Sequence, residues 1–310
     1  MNEPLVSVVI PTFNKSSSIE MTVESVLRQS YPNIEIILVD NGSTDSTREV
    51  ISKIVEMADN ISAILMTENL GPSNARNVGI KNSRGRYIFL LDGDDLFHPE
   101  KIAIQINFMR SHPEFAISIT SYLICSSSGL NLRHVKFKSV KSLLDGWIRM
   151  TGFGGLVEST GCIDAARIRD SLLFDTSLMG SEGLDFLMRW HQMHSVGLIR
   201  EPLTLYLTSE NQLHLDTSAI KENVTRLNPK YIKERRDLEF TRRLQSSFFI
   251  LDSMRRKHPT YIALRICSSF NFYNVIMGIS IVRRNLNAYL SAMKYKSKLT
   301  EYLGSSTVKQ

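Results

Sequence analysis

Short apolar segments alternate with amphipathic segments through residues 6–111, and this alternation constrains the fold more than any other feature of the sequence. The four segments that read as buried strands are residues 6–10, 34–39, 61–66 and 87–91. The four segments with apolar residues at helical spacing are residues 16–29, 44–57, 71–82 and 99–111. Such alternation builds a mostly parallel sheet flanked by helices on both faces, so the sequence predicts an α/β domain.

Three of the predicted strands run directly into polar residues. Thr12 and Asn14 follow the first strand, Asp40 ends the second, and the Asp92-Gly93-Asp94-Asp95 cluster follows the fourth. Ligands of open α/β sheets gather at the carboxyl ends of the strands. We therefore predict a ligand site at this edge.

The acidic cluster follows a strand that is apolar throughout. Carboxylates crowded so closely repel one another, and a divalent cation with hard oxygen ligands is the usual compensation. The alternative is a solvent-exposed turn before the next helix, which a cluster of this kind taken alone would favour. The polar residues at the two other strand ends favour a site for Mg²⁺ or Mn²⁺ and a diphosphate.

Four motifs in order carry a resemblance to a known family. They are Val6-Ser-Val-Val-Ile-Pro-Thr-Phe-Asn14, Ile37-Leu-Val-Asp-Asn-Gly-Ser-Thr-Asp45, Asn69-Leu-Gly-Pro-Ser-Asn-Ala-Arg-Asn-Val-Gly79 and Gly85-Arg-Tyr-Ile-Phe-Leu-Leu-Asp-Gly-Asp-Asp95. Together they resemble the family 2 glycosyltransferases of the GT-A fold. The resemblance implies inverting transfer of a sugar from a nucleotide-diphosphate sugar.

The resemblance also implies roles for single residues of the donor site. Around the base, ribose and phosphates it places Pro11, Thr12, Phe13, Asn14, Asp40 and Arg76. It implies that Asp92 approaches the ribose or the metal shell, that Asp94 ligates Mn²⁺ or Mg²⁺, and that Asp95 supports this site. Asn41 stands where the family often has a second aspartate, a change that we expect to be tolerated.

The resemblance is weaker over residues 174–206 and contains one departure with chemical consequences. Glu182 matches the glutamate of the family's Glu-Asp pair, but Gly183 stands where the aspartate acts as general base. Glycine cannot take a proton, and loss of a general base typically removes about 10²–10⁴-fold of rate. Glu182 or Asp185 could substitute as catalytic carboxylates if the loop shifts, although for Asp185 we favour a structural position in the helix. The alternative is a non-catalytic nucleotide-sugar-binding homologue.

A second departure concerns a histidine that the family often uses as a further metal ligand. Ser209 occupies its approximate position, and His214 could serve only along a different loop path. A lone histidine in such a place is more often exposed than ligating.

The charge is divided unevenly along the chain. Residues 1–220 hold 19 Lys and Arg against 25 Asp and Glu, whereas residues 221–310 hold 18 against 6. We predict a GT-A domain over residues 1–218, with a donor half (1–112) and an acceptor half (113–218), followed by a basic helical C-terminal region (219–310). This region fits peripheral contact with an anionic membrane, and exposed helices packed on the domain explain it equally well.

Several other classes are disfavoured. The first loop lacks GxGxxG and no P-loop occurs, which argues against a dinucleotide dehydrogenase. No motif supports nucleic-acid binding. Three scattered cysteines and the absence of a signal-peptide pattern or a long apolar run favour a cytoplasmic protein, with the inner face of the cell membrane as an alternative. The expected acceptor is a glycan or a lipid-linked sugar of surface polysaccharide synthesis.

Overall fold

The computed structural model describes residues 3–126, 132–136, 139–140, 158–168, 172–178 and 182–208. The predicted basic C-terminal region, the boundary at residue 218, and Ser209 and His214 lie outside the described residues. In the part that is described, no helix has the length and apolar character needed to cross a membrane.

The donor half has the predicted alternation of strands and helices. Its strands are β1 (Val6–Thr12), β2 (Ile34–Asp40), β3 (Ile61–Leu65) and β4 (Tyr87–Leu90). Its helices are α1 (Ile19–Leu27), α2 (Thr47–Val55), α3 (Pro72–Asn82) and α4 (Lys101–Ser111). The four strands are parallel in the order β3-β2-β1-β4, so the α/β prediction is confirmed for this half.

Alternate residues of the central strands enter two apolar cores, one on each face of the sheet. On one face Val8 and Ile10 pack with Val23 of α1, and on the other Val9 packs with Ala75 of α3. Both faces are therefore covered, which explains why these strands are apolar at nearly every position.

The remaining strands make the sheet mixed rather than mostly parallel. They are β5 (Leu96–Phe97), which still belongs to the donor half, and in the acceptor half β6 (Phe115–Ser126), β7 (Leu132–Val135), β8 (Gly161–Asp164) and β9 (Ser195–Thr208). β8 lies antiparallel between β4 and β6, whereas β9 runs parallel to β6 and antiparallel to β5. The four strands β1–β4 are therefore all parallel, whereas the rest of the sheet combines parallel and antiparallel pairs.

Helix α5 (Glu182–Met193) and the segment 172–178 are fastened to one another and to α3. The Phe174 and Phe186 rings stack with centroids 4.1 Å apart, and Trp190 Nε1 donates to the carbonyl of Leu172 at 2.9 Å. The Asn77 side chain of α3 pairs with both backbone groups of Phe174, each at 2.9 Å. These contacts fix the start of α5 beside the carboxyl end of the parallel strands.

Candidate functional site

A cavity of about 320 Å³ opens at the carboxyl ends of β1, β2 and β4. This is the edge at which the polar strand ends predicted a ligand site. The lining side chains come from the end of β1 and the loop after it, from the loops that follow β2 and precede α3, from α3 itself, from the acidic cluster and from β9. They are Pro11, Thr12, Phe13, Lys15, Asn41, Asn69, Pro72, Ala75, Arg76, Asp92, Asp94 and Tyr206. The volume lies at the lower end of the range for small-molecule sites.

The loop after β1 is clamped to the loop after β2. Asn14 adopts φ 52°, and its Oδ1 accepts hydrogen bonds from the backbone N–H groups of Thr44 and Asp45 at 2.9 and 3.3 Å. The backbone N–H of Lys15 donates to Thr47 Oγ1 at 2.8 Å. Asn14 therefore shapes the loop that presents Thr12, Phe13 and Lys15 to the cavity, and it does not itself line the cavity.

Asp40 is completely buried, and it organises the turn at the end of β2. Its carboxylate accepts hydrogen bonds from the backbone N–H of Ser43 and from Arg48 Nε, the latter at 2.7 Å. The neighbouring Asn41 lines the cavity instead and donates from Nδ2 to Asn69 Oδ1 at 2.9 Å. The direct contact between Asp40 and a base stays a prediction. Asn41, noted above only as a departure from the family pattern, and Asn69 both line the cavity although the sequence analysis gave neither a role in binding.

The three aspartates of the acidic cluster have three different environments. Asp92 Oδ1 accepts from Arg76 Nη2 at 2.9 Å, and Asp94 Oδ2 accepts from Lys15 Nζ at 2.5 Å. Asp95 is fully buried, and its Oδ2 accepts from Ser159 Oγ at 2.6 Å. Burial, followed by the charges of Asp92 and Asp94, raises the pKa of Asp95 well above its usual range.

Gly93 permits the close approach of the cluster to the loop after β1. A Cβ added at this position would meet Thr12 Oγ1 at 2.5 Å. The backbone of the cluster therefore lies directly against Thr12, and a larger residue would push the two walls of the cavity apart.

The donor set permits only one kind of metal site. Among the described residues, no group of three or more His, Cys, Asp or Glu side chains could hold an ion alone. Mg²⁺, however, is usually bound through one or two carboxylates together with substrate phosphates and water. Asp94, which lies on the cavity wall with 18% of its side chain exposed, fits this arrangement when a diphosphate supplies the remaining oxygens.

Arg76 of α3 joins the acidic cluster to the acceptor half. Its side chain is 6% exposed, and its guanidinium lies 2.9 Å from Asp92, 3.3 Å from Glu182 and 3.6 Å from Glu158. It also lies over the Phe174 ring, 5.4 Å from the centroid. Burial acts to lower the pKa of Arg76, but the charges of the three carboxylates outweigh burial and raise it.

Glu158 was missed by the sequence analysis, because it precedes a short strand and belongs to no motif quoted above. Burial, together with the charges of Asp92 and Glu182, raises the pKa of its carboxyl to about 7 against the opposing effect of Arg76. The adjacent Ser159 accepts a hydrogen bond from the backbone N–H of Asp92 at 3.0 Å. The 3₁₀ turn Glu158–Thr160 is thereby attached to the acidic cluster.

The two predicted catalytic carboxylates on α5 have different surroundings. Glu182 begins the helix and faces Arg76, and its buried Oε2 has no hydrogen-bond partner among the residues that the structure describes. Asp185 is fully buried and accepts from Arg189 Nε at 2.7 Å, one turn along the helix. The structure therefore brings Glu182 to the cluster and places Asp185 in a helix-stabilising ion pair.

Tyr206 of β9 closes the cavity on the side of the acceptor half. Burial and the charges of Asp95, Asp92 and Asp94 raise the pKa of its hydroxyl. The neutral phenol can therefore donate a hydrogen bond to an oxygen in the cavity at any physiological pH.

A family model described as Glycosyl transferase family 2 matches residues 7–169, which is more than half of the chain. The chain therefore belongs to glycosyl transferase family 2, and the resemblance inferred from its four motifs is confirmed.

Curated relatives that are named glycosyltransferases support the same class of enzyme. The chain is 35% identical over 172 residues to Bacillus subtilis TuaG, named a putative teichuronic acid biosynthesis glycosyltransferase, covering 54% of this chain and 68% of TuaG. It is 42% identical over 123 residues to Escherichia coli WfaP, named a UDP-Glc:alpha-D-GlcNAc-diphosphoundecaprenol beta-1,3-glucosyltransferase, covering 39% and 47%. A Haemophilus influenzae glycosyltransferase is 36% identical over 135 residues, covering 44% and 54%. The chain thus spans about half the length of two of these relatives.

Solved structures confirm the predicted GT-A fold. S. aureus TarS 1-349 superposes with a TM-score of 0.57 at 16% identity, covering 95% of this chain and 91% of that chain. The mannosyltransferase PcManGT from Pyrobaculum calidifontis, solved with GDP-Man and Mn²⁺, superposes with a TM-score of 0.58 at 15% identity, covering 97% and 86%. At these identities the likeness concerns the fold.

Proposed function

We propose that this chain transfers a sugar, with inversion at the anomeric carbon, from a nucleotide-diphosphate sugar to a hydroxyl of a glycan or lipid-linked acceptor. The observation that carries the proposal is the cavity itself. Cationic groups and carboxylates from the ends of β1 and β4 and from α3 converge on one small volume, and Arg76 connects this volume to Glu182 at the start of α5. The names of TuaG and WfaP support an acceptor used in polysaccharide or lipid-linked sugar synthesis.

The nucleoside would bind between the loops after β1 and β2. Phe13 is 37% exposed on the cavity wall, and an aromatic face of this kind can stack on a base. The Asn41 and Asn69 amides offer donors and acceptors to the base edge or the ribose. Asp40 would act indirectly, through the turn that its carboxylate stabilises. A nucleotide-sugar donor is also supported by TarS, which shares this fold and has been solved with UDP and with UDP-GlcNAc.

The diphosphate would bind beside Lys15 and Asp94. The Lys15 ammonium lines the cavity and can contact a phosphate oxygen directly. Asp94 would hold Mg²⁺ or Mn²⁺ together with the phosphates, with Asp92 and Asp95 supporting the site. When bound, such an ion neutralises negative charge on the departing diphosphate.

Transfer also needs a group that takes the proton of the acceptor hydroxyl. The hydroxyl oxygen forms a bond to the anomeric carbon, the bond from that carbon to the diphosphate breaks, and the electron pair leaves with the diphosphate. The candidates on the acceptor side are the carboxylates around Arg76. Asp185, which the sequence also offered, is the weakest candidate because it forms an ion pair with Arg189.

A non-catalytic binder is the second candidate, because Gly183 provides no side chain. This alternative expects the parent chain to bind a donor without transferring it, and it expects Gly183→Asp to create activity. The presence of Glu158 beside Gly183 favours the enzyme instead.

The decisive experiment is a donor panel on the full chain. UDP- and GDP-sugars are supplied with Mg²⁺ or Mn²⁺, with and without lipid extract, and release of nucleoside diphosphate is measured. We expect metal-dependent release that rises with acceptor. Asp94→Ala should abolish it, whereas Asp59→Ala, an exposed aspartate far from the cavity in sequence, should retain it. Unchanged turnover and donor affinity in Asp94→Ala would contradict the proposal.

Membrane contact and a location at the inner face of the membrane belong to the same proposal. They concern residues 219–310, whose excess of Lys and Arg can attract anionic lipid. Co-sedimentation of the full chain with vesicles containing phosphatidylglycerol, compared with phosphatidylcholine alone, measures this contact. Equal binding to both kinds of vesicle would argue against it.

A further inference from the structure

We propose that Glu158 is the catalytic base, a carboxylate that reaches from outside α5 into the space beside Gly183; the inference rests on the proposed sugar transfer. Family membership assigns no role to this residue. The argument depends on one close approach, on one shared guanidinium and on the surroundings of the other carboxylates.

The close approach is between Glu158 and the backbone of α5. A Cβ built on Gly183 would lie 2.2 Å from Glu158 Oε1 and 2.9 Å from its carboxyl carbon. The Glu158 carboxylate therefore already occupies the volume that any side chain at position 183 would enter. Glycine at position 183 leaves the space that the Glu158 carboxylate occupies. The loss of a side chain at 183 and the presence of the Glu158 carboxylate beside it are therefore linked.

The shared guanidinium places Glu158 next to the donor site. Arg76 Nη2 contacts Asp92 on the cavity wall, while Arg76 Nη1 faces Glu158 and Glu182. A carboxylate on the Nη1 side of this planar group lies across from the donor-facing aspartate. In the proposal the acceptor hydroxyl approaches from this side of Arg76, towards a sugar whose diphosphate is held beside Asp94.

Two of the other carboxylates are held by neighbouring side chains, and the third lies closer to Arg76 than Glu158 does. Asp95 is sealed from solvent and held by Ser159, and Asp185 is sealed and held by Arg189. Glu182 lies nearer to Arg76, at 3.3 Å, and its second oxygen is enclosed.

Glu158 forms a longer contact with Arg76 than Glu182 does. Its contact with Arg76, at 3.6 Å, is longer than a hydrogen bond, and 14% of its side chain is exposed. The groups that face it are Arg76, Asp92 and Glu182, and its pKa of about 7 is suited to accept a proton near neutral pH.

In the proposed step the acceptor oxygen bonds to the anomeric carbon as the bond to the diphosphate breaks. The electron pair of the broken bond stays on the diphosphate, and the hydroxyl proton moves to Glu158. Arg76 acts as a positioning residue that holds the base and Asp92 on its two sides.

The first test compares Glu158→Gln with Glu182→Gln in the full chain, using the donor and acceptor found by the panel. We expect Glu158→Gln to lower kcat by about 10²–10⁴-fold while the Kd for the donor, measured by calorimetry, changes less than threefold. The acid limb of the kcat profile, near pH 7 in the parent, should disappear. An equal or larger fall in Glu182→Gln would assign the base to Glu182 and overturn the proposal.

The second test moves the carboxylate. Glu158→Ala combined with Gly183→Asp should recover at least tenfold of the activity lost in Glu158→Ala, because the new side chain enters the vacated volume. Gly183→Asp alone should lower activity, since two carboxylates then compete for one space. A Glu158→Gln variant with parent kcat, or a double variant no better than Glu158→Ala, overturns the assignment. Absence of donor binding or of transfer in the parent chain instead shows that the proposed function has failed.

Discussion

The two sides of the cavity are built in different ways. On the donor side, Thr12, Asn41 and Asp92 follow directly from the ends of parallel strands, and each belongs to a short motif. On the acceptor side, Glu158 and Glu182 come from segments separated along the chain and meet beside Arg76. The parallel sheet therefore places the donor groups by itself, whereas the acceptor groups depend on one buried cation from the donor half.

The largest effect should come from removing that cation. Arg76→Met leaves Asp92, Glu158 and Glu182 without their shared partner, and breaking a buried ion pair in this way costs about 3–5 kcal/mol. We expect this loss in the free energy of unfolding measured with urea. Arg76→Lys should lose less, because the charge remains while the planar group that spans three carboxylates is gone.

Arg28→Met provides the matched control for this loss. Arg28 forms an exposed ion pair with Glu24 one turn away on α1, and such pairs contribute less than about 1 kcal/mol. If Arg76→Met were no more destabilising than Arg28→Met, Arg76 would not be the element that joins the two sides.

The sequence was sufficient for the donor side for a physical reason. Strands β1, β2 and β4 are buried on both faces, so their apolar runs and the abrupt change to polar residues are visible without a structure. The predicted bounds differ from the observed ones by only a few residues. The first strand is an example: it was predicted over residues 6–10, but β1 continues through Pro11 to Thr12.

The acceptor side could not be predicted to the same depth. Strand β8 has only four residues and β5 only two, and both are held by partners distant along the chain. The role of Glu158 depends on contacts with Arg76 and Gly183, and sequence spacing carries no information on either. The sequence favoured a structural position for Asp185 over a catalytic one, but the partners that separate the two carboxylates, Arg76 for Glu182 and Arg189 for Asp185, are visible only in the structure.

A change on the donor side alone should affect binding and leave the fold intact. Lys15→Met removes a charge-assisted contact to the diphosphate, which contributes about 1.5–3 kcal/mol, so nucleoside diphosphate should bind about 10–100-fold more weakly. Calorimetry with UDP and GDP measures this. Lys81→Met, at an exposed position of α3, should bind as the parent does. Parent-like affinity in Lys15→Met would mean that the ammonium serves only to neutralise Asp94.

The smallest effect concerns Lys101, a completely buried lysine beneath the acceptor half. Its Nζ donates to Gln105 Oε1 at 2.6 Å and to the Thr160 carbonyl at 3.3 Å, and it lies 4.9 Å from the centroid of the Phe97 ring. Burial lowers the pKa of Lys101 to about 7, with the Cys162 thiol as the facing group that opposes the shift. The amine is therefore neutral in the folded protein above this pH.

The sign of the resulting pH dependence follows from where the proton is bound. Between pH 7 and the usual lysine pKa the unfolded chain carries one more proton at this residue, so the free energy of unfolding rises with pH by roughly 1 kcal/mol per unit, and below pH 7 the contribution is flat. Urea unfolding between pH 7 and 9 should show this rise in the parent and in Lys53→Met, an exposed control, but not in Lys101→Met. Burial also raises the pKa values of Tyr31 and Cys162, and their opposing contributions begin near the ordinary values of 10.0 and 9.0, at or above the upper end of this window. Parallel pH profiles in the parent and Lys101→Met would show that Lys101 is charged in the folded state, and the support of the acceptor side would then contain a second buried cation besides Arg76.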